Sequence, residues 1–151
     1  MTKSKNTSME TELLRQLKTE EKGDAVDQRN LGIAYLFGDG VRADSATAVF
    51  WFRLAAEQGD AIAQMLLGEA LSSGDGAPQD YIEAASWFRQ AAEQGNARAQ
   101  FDLGKAYANR EGVEMDYAQE AHWYAQAAEQ GYTSAQDKLD EMSFERSMMC
   151  V

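Results

Sequence analysis

The string "WFRLAAEQGDA" at Trp51–Ala61 returns as "WFRQAAEQGNA" at Trp87–Ala97 and as "WYAQAAEQGYT" at Trp123–Thr133, each time 36 residues further on. A fixed period of this size restricts the chain to architectures stacked from repeated supersecondary units. A single such unit cannot bury its own apolar faces, so neighbours must stack. Alignment at 36 residues gives three copies without a gap, 25–60, 61–96 and 97–132. Gln28, Gln64 and Gln100 coincide, as do Leu31, Leu67 and Leu103, and Gly32, Gly68 and Gly104. Gly40, Gly76 and Gly112 also fall in register, followed by Asp44, Asp80 and Asp116.

Each copy reads as two helices. In the first, Ala25, Gln28, Leu31, Gly32, Ala34 and Tyr35 recur at three- and four-residue steps, one face of a helix A over 25–37. The "GDG" at Gly38–Gly40 breaks it, and Asp44 is placed to cap a helix B over 45–58. Asp80–Glu83 and Asp116–Gln119 have the spacing of capping boxes, and Asp60 and Asn96 stand where the next helix A begins. A glycine inside a helix costs about 1 kcal/mol against alanine. Gly32, Gly68 and Gly104 are therefore expected to let helix B approach closely, with Ala55-Ala56 and their counterparts facing them. The pairs Trp51-Phe52, Trp87-Phe88 and Trp123-Tyr124 are expected to fill the rest of the core.

The stretch "AIAQMLLGEALSSGDGAPQDYIEAASWFRQAAEQGNA" resembles a Sel1-like repeat. That family shows an alanine-rich start, Q-x-x-L-G, a Gly-x-Gly turn, an aspartate before helix B, and W-aromatic-x-x-A-A-x-Q-G. The resemblance covers 25–132 and implies an all-α fold, a right-handed α-α superhelix of three Sel1-like helix pairs similar to tetratricopeptide arrays. Weaker traces of the pattern place a capping helix at each end, over 9–24 and 133–145, making 9–145 one domain. Residues 1–8 are expected to be a disordered N-terminus and 146–151 a flexible tail.

Several classes fall away. The formal net charge is −11, which repels phosphate backbones, so no nucleic-acid partner is expected. No apolar run reaches the roughly 18 residues of a membrane span. Cys150 is the only cysteine, so no internal disulfide forms. The start lacks the apolar stretch of a secretory signal, which gives a cytoplasmic expectation, periplasmic only if a leader precedes this sequence. His122 is the only histidine, so no histidine pair can hold zinc, and no serine has a histidine base. The loops "FGDGVRAD" and "SGDGAPQD" lack the alternating ligands and closing glutamate of calcium loops. No metal, cofactor or catalytic residue is expected. Two positions depart from the repeat. Arg110 replaces the first turn glycine, predicting a looser or differently shaped third turn, and Glu120 stands where Ala48 and Ala84 stand, predicting a carboxylate that faces solvent in preference to meeting a partner group.

These readings imply a non-enzymatic interaction module, a scaffold or adaptor that binds another protein or a peptide, with a monomer favoured and the oligomeric state left open. The resemblance leaves two alternatives open: an immunity or inhibitor protein against a toxin, and, ranked last, a β-lactamase-like penicillin-binding enzyme, whose disulfide pattern is missing here. In related helical-pair repeats helix A lines the concave groove. Setting aside the repeated positions leaves Arg29, Asn30, Ile33 and Phe37 in the first copy, Met65, Glu69 and Ser73 in the second, and Phe101, Asp102, Lys105 and Asn109 in the third. Ile33, Met65 and Phe101 would give an apolar centre rimmed by Arg29, Glu69 and Lys105. Met65 and Phe101 are the expected anchors, and Arg53 and Arg89 on helix B the expected bystanders.

Overall fold

The computed structural model of the protein describes residues 23–150, and the proposed N-terminal cap and disordered start lie almost wholly outside them. Seven helices are described: α1 (Ala25–Phe37), α2 (Ser45–Glu57), α3 (Ala61–Ser73), α4 (Tyr81–Glu93), α5 (Ala97–Asn109), α6 (Tyr117–Glu129) and α7 (Thr133–Met149). The first six start at intervals that repeat every 36 residues, and no strand occurs among the described residues. Asp24, Asp44, Asp60, Asp80, Asn96 and Asp116 each accept a hydrogen bond from a free amide of the helix they precede. This is why the helices begin where they do. At Asp44 the Thr47 hydroxyl also donates, at 2.9 Å, and with the Thr47 amide holds the carboxyl below its usual range. The last helix runs to Met149, past the 145 at which the expected cap ends.

Two compact units form, one through Gln79 and the other from Asp80, so the division falls between the two helices of the second copy. In the first unit Trp51, Phe52, Ala55, Ala56, Leu67 and Leu71 are buried. In the second, Phe88, Leu103, Tyr107, Trp123 and Tyr124 are buried. Trp87 departs from its counterparts: it is half-buried, and its indole N–H donates to the Glu83 carboxylate at 3.2 Å. The N–H groups of Trp51 and Trp123 meet no acceptor among the described residues. Thr47, which stands where Glu83 stands, gives its hydroxyl to Asp44 instead.

The helix A glycines do allow a close approach, but to a ring rather than to the alanine pair. A Cβ on Gly32 would lie 2.5 Å from Cε1 of Phe52, and one on Gly104 would lie 2.6 Å from Cδ1 of Tyr124. The repeated glutamines have a structural use that periodicity alone did not supply. Gln58 Nε2 donates to buried Gln28 Oε1 (2.6 Å) and to the Gly23 carbonyl (3.2 Å). Gln130 Nε2 does the same with Gln100 Oε1 (2.9 Å) and the Gly95 carbonyl (2.8 Å). Gln64 and Gln100 in turn donate to the carbonyls of Ala56 and Ala92. The Ala56 and Ala92 carbonyls, which already accept from the Gly59 and Gly95 amides, thus take a further hydrogen bond from a buried side-chain amide, a donor that burial requires to be paired.

The third turn is neither looser nor differently shaped at its first residue. Arg110 adopts φ 59° and ψ 36°, close to Gly38 (72°, 33°) and Gly74 (76°, 21°). The amides of Arg110 and Glu111 bond to the Ala106 carbonyl as those of Gly38 and Asp39 bond to that of Ala34. A side chain in this left-handed region costs roughly 1–2 kcal/mol, part of which glycine returns through its freer unfolded state. Arg110→Gly is therefore expected to stabilise the protein by about 0.5–1 kcal/mol, read as a higher urea midpoint with an unchanged slope.

Candidate partner-binding surface

The variable helix A positions divide into those occupied by the fold and those left outward. In the first unit Arg29 Nη1 lies 2.8 Å from Asp60 Oδ2, a largely enclosed ion pair joining α1 to the cap of α3. Met65 is 8% exposed, so it is a core residue. Asn30 is exposed, and Ile33 and Glu69 are half-buried. Phe37, at the end of α1, is 75% exposed.

In the second unit the structure brings Phe101, Asp102 and Lys105 together. The Phe101 ring packs 5.6 Å from that of Tyr124 and 5.0 Å from that of Tyr132. It thereby joins the apolar cluster of Tyr124, Ala127, Ala135, Leu139 and Met142 that seats α7 on α6. Lys105 Nζ lies 3.6 Å from Asp102 Oδ1 and 5.5 Å from the centre of the Phe101 ring. Asn109 is exposed. Met65 is thus buried rather than an exposed anchor, while Phe101 is partly covered by its ring neighbours and Arg29 is paired with Asp60. Arg29 with Asp60 and Phe101 with Tyr132 are equivalent pairs, 31 residues apart in each case. One is ionic and the other aromatic, so these positions vary together with their internal partners.

Two further expectations change. Glu120 is 7% exposed rather than solvent-facing, and α7 supplies both Glu145 and Lys138 near it. Burial and the Glu145 charge push its carboxyl above the usual value, against the pull of Lys138. Tyr124 is likewise pushed up by burial, then by Glu120, Glu141 and Asp102. A raised carboxyl pKa in the folded state means that ionisation opposes folding. Below the ordinary value of 4.5 Glu120 is protonated in both states, and the penalty grows as pH rises through the folded value. Glu120→Gln is expected to raise the melting temperature at pH 7 and to change it little at pH 4, measured by circular dichroism. The helix B bystander Arg89 also has an internal role: it donates to the Tyr107 hydroxyl, with its guanidinium 5.7 Å from that ring's centre.

His122 is exposed, with its ring 4.9 Å from that of Trp123. Ser73 lies in the last turn of α3 and donates to the Ala70 carbonyl. Among the described residues no three His, Cys, Asp or Glu side chains gather to hold a metal ion. No described helix is long and apolar enough to cross a membrane.

Capped 13-residue helices recurring in pairs every 36 residues, with a small residue under an aromatic ring, define a helical-repeat protein. The chain belongs to the Sel1 repeat family, whose model matches residues 25–60, 61–96 and 97–132. Three bacterial structures are similar. A protective antigen of uropathogenic Escherichia coli strains displaying an SLR fold is 40% identical, with a TM-score of 0.79 over 82% of this chain. The match spans only 26% of that antigen's length. A Sel1 repeat protein from Oxalobacter formigenes is 36% identical, with a TM-score of 0.75 over 85% of this chain and 97% of that one. The cysteine rich protein B of Helicobacter pylori, at 16% identity, has a TM-score of 0.67 over 85% of this chain and 95% of its own. It shares the all-helical repeat fold. No curated protein matches the sequence. The Sel1 repeat fold typically serves protein–protein interaction, and its members are generally not catalysts.

Proposed function

We propose that the chain is a non-enzymatic scaffold or adaptor that grips a protein or peptide through the outward positions of its helix A elements. The observation that carries this reading is a division of labour within the repeat. Gln28, Gln64 and Gln100, Leu67 and Leu103, and the close-packed glycines are buried and repeat, while Asn30, Phe37, Lys105 and Asn109 are exposed and differ from copy to copy. A constant scaffold carrying variable outward side chains supplies specificity without disturbing the core. Ile33, Glu69 and Asp102 complete the set as partly covered neighbours on the same helices.

The test is site-specific photo-crosslinking in the native host. A crosslinking side chain at Phe37 or at Asn109 is expected to trap the same partner protein. At Glu57 and Glu93, exposed ends of helix B, it is expected to trap none. Adducts only from Glu57 and Glu93 would remove the helix A assignment.

A further inference from the structure

We propose that a second docking surface lies on a different face, where the turn before α6 meets the start of α4, and that it takes a cationic amphipathic segment of a partner protein. The inference rests on the reading of the chain as a protein-binding module. The backbone at Gly112 is pressed onto the first turn of α4: a Cβ there would overlap the Tyr81 carbonyl and lie 2.7 Å from the Ile82 amide nitrogen. This contact sets Ile82 beside the segment that continues through Met115 to Tyr117. Ile82 is 75% exposed, Tyr117 is 69% exposed and Met115 is 37% exposed.

The first unit provides an internal comparison. There Gly76 is pressed in the same way onto the Ser45 carbonyl, whose carbon would lie 2.6 Å from an added Cβ. Ala46 stands where Ile82 stands, and Gln79 where Met115 stands. Tyr81 stands where Tyr117 stands, so it is the bulk of Ile82 and Met115 that the seam does not require. Large apolar side chains left exposed on two adjoining segments are what an interaction site presents.

Charge selects the occupant. Glu111, Glu114 and Asp116 follow one another through the turn, with Arg110 as its only cation. Asp116 is used as a helix cap, whereas Glu111 and Glu114 make no ion pair among the described residues. An apolar centre with an acidic rim, on a chain of net charge −11, attracts a segment that pairs apolar residues with Lys or Arg. It repels phosphate-rich surfaces. It also disfavours a second copy of itself, which would bring Glu111 and Glu114 against their own counterparts.

The experiment uses the full chain, labelled with nitrogen-15, and a synthetic Lys/Leu amphipathic peptide of about 18 residues, long enough to span both helix starts. Amide shifts are expected at 81–83 and 111–118. Ile82→Ser with Tyr117→Ser is expected to weaken binding at least about tenfold without lowering the melting temperature. Glu111→Gln with Glu114→Gln is expected to flatten the salt dependence, and a Glu/Leu peptide of the same pattern is expected not to bind. Shifts confined to another face, or an affinity indifferent to the Ile82/Tyr117 pair, would overturn the proposal. So would wild-type sedimentation as a dimer that this pair dissociates, which would give the patch to a second copy. Crosslinking from Phe37 and Asn109 in the Ile82/Tyr117 variant reads the helix A face separately, so either surface can fail alone.

Discussion

Gly104→Leu is expected to lower stability by at least about 3 kcal/mol, a fall of roughly 6–12 °C in melting temperature for a chain of this size. The helix itself would gain about 1 kcal/mol from losing a glycine. Packing overrides that gain. The first added carbon already lies 2.6 Å from two atoms of the Tyr124 ring, and that ring is only 1% exposed, held between α5 and α6. It cannot swing aside without displacing Phe101 and the cluster that seats α7. A double-mutant cycle isolates the cause. Gly104→Ala is expected to be destabilising in the wild-type chain and close to neutral when Tyr124 is replaced by leucine. Equal costs in both backgrounds would show that ring contact is not the reason for the glycine.

Gly112→Ala is expected to be as damaging with a far smaller side chain. Its φ of +76° places an alanine in the left-handed region, at roughly 1–2 kcal/mol. The new carbon would also enter the Tyr81 carbonyl, backbone that belongs to the capped start of α4 and cannot rotate away. The total should reach about 3 kcal/mol or more. Gly131→Ala supplies the control, since its φ is +85° but among the described residues nothing lies within 4 Å of the added atom. Only the conformational cost should appear there. The difference between the two urea midpoints measures the seam contact, and identical midpoints would mean that no such contact is present in solution.

Much of this was legible in the residues. The 36-residue register, the capping aspartates and the turn glycines located six helices because each signal is local: a cap bonds an amide two or three residues away, and a glycine permits a turn at its own position. The same register carried the family assignment. What local signals could not reveal was the partner each side chain meets through space. Variation at Arg29 and Phe101 looks like specificity in a single chain, yet it follows Asp60 and Tyr132, 31 residues away. Gly40, Gly76 and Gly112 are identical in sequence and alike in φ, but the second and third press on the helix start of the preceding copy, while among the described residues nothing lies within 4 Å of a Cβ at the first. Glu120 reads as a surface carboxylate until α7 folds over it. The exposed Ile82 and Met115 could have been flagged by comparing copies, since Ala46 and Gln79 stand in their places, but the approach of their two segments depends on the Gly112–Tyr81 contact. Sequence alone determined where the helices start, turn and stop. Tertiary structure decided which side chains the packing uses and which it leaves for a partner, because burial is set by neighbours distant in the chain.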